Sequence, residues 1–227
     1  MDMGRSTKSE KDPTFVEIHL GSVKLEGNLS VPEDSVGIVL FAHGSGSGRL
    51  STRNRFVARE LNQKGIATLL FDLLTREEEE VDLQTAHLRF DISLLSQRLG
   101  NTTDWLLKNP KVSNLNMGYF GASTGAAAAI VAAAERPSTV KAVVSRGGRP
   151  DLAGPSLGSV RCPTLLLVGG YDDVVIDLNK EAMAQMKSTK KLIIIPEATH
   201  LFEEPGKLAE VAQHASNWFL QYLGGSN

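Results

Sequence analysis

The chain has 227 residues, 41% hydrophobic and 22% charged, the balance of an ordinary globular protein long enough to bury a sizeable core. A formal charge of −2, with no clustered basic segment, excludes the electrostatic footprint of a nucleic-acid binder. A lone cysteine, Cys162, excludes an intrachain disulfide and any multi-cysteine metal site.

Residues 1–13 lack the apolar stretch of a signal peptide and read as a disordered tail. No run of about 18 apolar residues follows anywhere, so the expectation is a cytoplasmic protein with no membrane partner. Residues 14–20 and 23–29 alternate apolar and polar side chains about Gly21-Ser22, the pattern of an antiparallel hairpin. From residue 37 the texture changes to solid apolar runs at 37–42, 67–71, 115–120, 140–145, 164–168 and 191–195, which suit parallel strands buried on both faces. Helical patterns at 52–64, 83–108, 124–135, 178–187 and 205–223 separate them, giving βαβ units, a doubly wound sheet and one domain over 14–223. The final residues, 224–227, read as a flexible tail. Ligands of such a sheet bind beyond the carboxyl ends of its strands.

After the first apolar run comes Phe41-Ala42-His43-Gly44-Ser45-Gly46-Ser47-Gly48. Its glycines give G-x-G-x-G, not the G-x-G-x-x-G of a dinucleotide loop, and no P-loop lysine follows. The acidic run from Glu77 to Glu80 reads as a solvated entrance to the long helix at 83–108, where carboxylates suit the helix dipole.

The segment Gly121-Ala122-Ser123-Thr124-Gly125 matches G-x-S-x-G, directly follows a strand and opens an Ala-rich helix, the setting of a nucleophile elbow. A serine hydroxyl needs a base whose ring is held by an acid. Of five histidines, His200 lies in a loop just after the last strand, whereas His19 lies in the hairpin and His87 and His214 fall inside expected helices. The acid belongs after the preceding strand, where Asp172 and Asp173 stand. The spacing from Gly169 through Asp172 to Val175 favours Asp172, and the order Ser123, Asp172, His200 is that of an elbow-bearing sheet. Oxyanion donors are expected from the backbone N–H groups of Thr124 and, in the 43–48 loop, Ser45, leaving His43 to organise that loop. Arg146 and Arg149, after the 140–145 strand, are candidates to pair with a substrate carboxylate, against the plainer reading of solvated loop arginines.

These motifs, with Thr199-His200-Leu201-Phe202, resemble the dienelactone hydrolase family of α/β-hydrolases over about residues 14 to 223. The resemblance implies an α/β-hydrolase fold: a mostly parallel sheet with an antiparallel N-terminal hairpin, helices on both faces, no large lid domain and no cofactor or metal. The namesake enzymes carry cysteine where this chain has Ser123, which moves the expected substrate from dienelactone to a small carboxylic ester or lactone. Cys162, preceding Pro163, reads as a buried structural residue. Acyl transfer by the same triad, and a non-catalytic small-molecule binding module, are the alternatives.

Overall fold

The computed structural model describes residues 12–225, so the expected tail at 1–13, apart from Asp12 and Pro13, lies outside the described residues, as do the last two residues of the expected tail at 224–227. One eight-stranded sheet runs through the molecule in the order β1-β2-β4-β3-β5-β6-β7-β8. The hairpin of β1 (Thr14–Leu20) and β2 (Val23–Ser30) is antiparallel, and β2 also pairs antiparallel with β4 (Ile66–Phe71). The remaining pairings, through β3 (Gly37–Ala42), β5 (Met117–Ala122), β6 (Val140–Arg146), β7 (Thr164–Gly169) and β8 (Lys190–Ile195), are parallel. The solid apolar runs serve two cores at once. In β3, Ile38, Leu40 and Ala42 point into one cluster while Val39 and Phe41 point into the other, as the two-residue period of a strand requires.

One face carries α1 (Thr52–Gln63) and α6 (Lys207–Leu223), which bury Val57 and Leu61 with Val211, Ala215 and Phe219. The other carries α3 (Ile92–Leu106), the Ala-rich α4 (Thr124–Glu135) and α5 (Asp173–Gln185). The small side chains of α4 let it lie close between the sheet and α3, with residues from Thr124 to Ala133 almost all buried. Among the described residues no helix is long and apolar enough to cross a membrane.

Two elements depart from the sequence expectation. The helix expected over 83–108 is broken: α2 (Arg76–Thr85) ends at Ala86 in a left-handed conformation, a 3₁₀ turn follows at Leu88–Phe90, and Asp91 restarts the chain as α3 by accepting the N–H of Leu94 at 2.9 Å. Glu77, Glu78 and Glu79 of the acidic run lie in the first turn of α2, where Thr75 and Glu78 form a reciprocal capping box. His87 lies between these helices, outside both. The helix expected over 178–187 starts five residues early, at Asp173, immediately after Asp172.

Candidate active site

The carboxyl end of β5 turns sharply at Ser123, which holds φ 50° and ψ −122° before α4 begins at Thr124. Three backbone hydrogen bonds fix this conformation: the Ser123 N–H donates to Arg146 O (3.3 Å), and its carbonyl accepts from Ala126 (3.1 Å) and Arg149 (3.1 Å). Glycine is required on both sides because there is no room: a Cβ on Gly121 would come within 2.4 Å of Ala126 Cα, and one on Gly125 within 2.2 Å of Ala42 O.

The β7 and β8 loops supply the neighbouring polar pair. Gly170 N–H donates to Ile195 O (2.8 Å) and Tyr171 N–H to Ala198 O (2.9 Å), joining the two loops by their backbones. Across this junction His200 Nδ1 lies 2.6 Å from Asp172 Oδ2, with the imidazole 38% and the carboxylate 17% exposed. Asp173 enters α5 and does not meet the ring. An Nδ1–H donated to a carboxylate leaves the Nε2 lone pair free to take a proton. His200 packs on the segment 146–149, where a Cβ on Gly147 would stand 3.5 Å from the ring, and the backbones of Arg146 and Arg149 in this segment bond to Ser123. Asn179 of α5 holds this segment by donating to Gly148 O at 2.9 Å, a support that nothing in the sequence marks. Among the described residues no hydrogen bond joins Ser123 Oγ to His200; such bonds often tighten only when substrate is present.

The 43–48 loop passes under the elbow, near enough that a Cβ on Gly44 would lie 3.0 Å from Ser123 Cβ. Ser45 N–H donates to Thr124 Oγ1 (3.1 Å), so the two expected oxyanion donors adjoin, with one of them occupied by the threonine hydroxyl. His43 is internal to the loop's support. Its Nε2 accepts the N–H of Leu73 (3.0 Å), which fixes the neutral tautomer whose Nδ1–H donates to Gly44 O (3.0 Å). Burial holds its pKa below the usual histidine value.

The two arginines part company. Arg149 forms a two-pronged ion pair with Asp151 at 2.9 and 2.7 Å. Arg146 is only 7% exposed and, among the described residues, meets no carboxylate; its Nη2 stands 3.4 Å from Asn54 Oδ1. Cys162 is buried on the α3/α4 side, its thiol pushed up to about 12 by burial, which makes it a poor nucleophile.

Beside Thr124 and Ser45 lies a cleft of about 80 Å³ whose outer wall comes from α2 and the 3₁₀ turn, through Glu79, Leu83 and Arg89. Arg89 is held there by Asp82, through Nε to the carboxylate (2.5 Å) and Nη2 to the carbonyl (2.9 Å). The sequence reading missed this wall. Its signal was the T-x-x-E capping pattern at Thr75, which announces a helix separate from α3. Among the described residues no group of three or more His, Cys, Asp or Glu side chains is arranged to hold a metal ion.

The model of the dienelactone hydrolase family matches residues 25–223. A crystal structure of a dienelactone hydrolase from Anabaena variabilis is 62% identical, covers 94% of this chain and 100% of its own, and superimposes with a TM-score of 0.91. Est1E from Butyrivibrio proteoclasticus shares the fold at 17% identity and a TM-score of 0.75, over 93% of this chain and 98% of its own. Two curated relatives from Mycobacterium tuberculosis, which carry a phosphoribosyl transferase name, are 57% identical over 92% of this chain. The match covers 46% of their length, so this chain spans about half of each.

Proposed function

The chain belongs to the dienelactone hydrolase family, and from that membership and the geometry at the elbow we propose that it is a serine hydrolase cleaving a carboxylic ester or lactone. The observation that carries this reading is the pairing of a strained serine at the strand-to-helix turn with an imidazole bonded to a carboxylate at 2.6 Å in the adjoining loop. A strained backbone at a half-buried serine is costly and is kept where the chemistry uses it.

In this mechanism Ser123 Oγ attacks the carbonyl carbon as His200 Nε2 takes its proton. Asp172 keeps the ring in the required tautomer and stabilises the imidazolium. The developing oxyanion is met by the N–H of Thr124, an unpaired donor at the start of α4, and by the N–H of Ser45 once the Thr124 hydroxyl turns aside. The carbon–oxygen bond to the leaving group breaks as His200 returns the proton. Water, activated by the same ring, then releases the acid and restores Ser123. The phosphoribosyl transferase name of the curated relatives describes chains about twice as long, and no such transfer is proposed for this one.

A fluorophosphonate probe, read by mass spectrometry of the modified peptide, tests the assignment. Labelling at Ser123 that disappears in Ser123→Ala and falls by at least about 10³-fold in rate in His200→Ala is expected. A folded protein that takes no label at Ser123 would sink it.

A further inference from the structure

The side chain of Arg146 carries a charge that the structure leaves unanswered. Ala142 and Val144 point from β6 into the α1/α6 core, so Arg146, two residues on, projects to the same side. Its Nε is buried without a partner, and its contact to Asn54, at 3.4 Å, is longer than an ordinary hydrogen bond. The charge bearing on it is that of Arg53, of its own sign, and burial together with this repulsion pulls its pKa down to about 10. A buried cation normally has a carboxylate or comparable anion beside it.

Both neighbours of Arg146 belong to the first turn of α1. This turn has no acidic residue, although the dipole favours one there. Ser51 Oγ accepts the N–H of Asn54, while those of Thr52 and Arg53 have no partner within the helix. Arg53 Nε is likewise buried and unpartnered, and Arg53 Nη1 reaches Glu203 at 2.8 Å, three residues beyond His200. Glu203 therefore answers one guanidinium, and Glu204 is committed through Oε1 to the N–H of Thr199 at 3.1 Å. Among the described residues no carboxylate pairs with the second guanidinium or the helix end, and Glu204 Oε2 stays buried without a hydrogen-bond partner. A cavity of about 380 Å³ opens alongside, bounded by Thr52, Arg53, Phe202, Glu203 and Glu204, with Arg146 not part of its lining. The cluster adjoins the nucleophile because the carbonyl of Arg146 accepts the N–H of Ser123.

We propose that the first turn of α1, with Arg146 and Arg53, is a phosphate-binding subsite, so that the ester reaching Ser123 carries a phosphate group. The proposal rests on the serine-hydrolase reading only for its link to turnover. Phosphate fits the donors better than carboxylate does: it is a dianion with oxygens enough for a guanidinium fork and for backbone N–H groups at a helix start. Bound there, it supplies the counter-charge that Arg146 lacks.

The test titrates inorganic phosphate against chloride at constant ionic strength, using the full chain. A saturable rise in Tm is expected, about 3 °C at ten times the dissociation constant, with competitive inhibition of p-nitrophenyl acetate hydrolysis. Arg146→Gln is expected to abolish the rise, Arg146→Lys to retain part of it, and Arg53→Gln to weaken binding by about tenfold or more. No rise in wild type overturns the subsite whether or not the enzyme turns over, and fluorophosphonate labelling separately decides the hydrolase reading. A rise equal in wild type and in the folded variants puts the anion elsewhere and also overturns it. A rise lost in the variants but without competition against the ester overturns the link to substrate.

Discussion

Ser123 holds a backbone conformation that a residue with a Cβ adopts at a cost of about 1–3 kcal/mol. Glycine enters the same region freely, so strain and chemistry can be separated at one position. Ser123→Gly is expected to melt about 2 °C above Ser123→Ala, both being inactive, because the alanine keeps the Cβ while the glycine relieves it. Calorimetry that finds the glycine variant no more stable than the alanine one would show the turn to be unstrained. Residue identities were legible here to different degrees. Ser123 and His200 stand out in the sequence because glycines and strand ends bracket them. Asp172 had to be chosen over its neighbour by spacing, and the structure turns Asp172, not Asp173, toward the ring. Arg146 and Arg149 look alike in sequence, and only the sheet's alternation and the presence of Asp151 separate a buried cation from a paired one.

At the scale of elements, the strands were legible to within two residues at either end, the hairpin by its alternation and the others by their solid apolar runs. The segment between β4 and β5 was not. Its apolar spacing runs on past the break at Ala86, which depends on a left-handed residue and on Asp91 as a new cap, both weaker signals than periodicity. α2 is fastened by polar links, Glu78 to Arg98 (2.5 Å) and Asp82 to Arg89 (2.5 Å), with Val81 and Leu83 exposed. Ala86 ends it at φ 54°, where a Cβ is a burden. Ala86→Gly should therefore stabilise the protein by about 0.5 kcal/mol, a rise near 1–2 °C in Tm. An unchanged or lower Tm would mean that the left-handed turn costs the native chain nothing.

For the whole molecule, the sequence announced a mostly parallel sheet with an antiparallel hairpin, but not that β2 docks against β4, because strand order depends on which faces meet and not on local pattern. One half-buried ring contributes to the molecule's response to acid. His43 ties the loop after β3 to the end of β4, and burial keeps it neutral in the folded state, with its pKa below the ordinary value near 6.5. Above about pH 6.5 folded and unfolded chains carry the same charge at this position. Below it the unfolded chain binds a proton that the folded chain refuses, so stability falls with pH by up to about 1.4 kcal/mol per unit. His43→Asn should lower Tm at neutral pH yet flatten its decline between pH 6.5 and 5; an equally steep decline in the variant would place the acid sensitivity elsewhere.

The backbone bonds between the loops after β7 and β8 have a mechanical meaning. Gly170 and Tyr171 are tied to Ile195 and Ala198, so the Asp172 carboxylate and the His200 imidazole sit on one joined unit, while Ser123 is clamped by three backbone bonds of its own. Two rigid parts facing each other across the 146–149 segment have in effect a single coordinate to adjust, the gap from hydroxyl to imidazole. In the proposed mechanism, a ligand that draws these parts together would align the proton path from Ser123 to His200 in one movement.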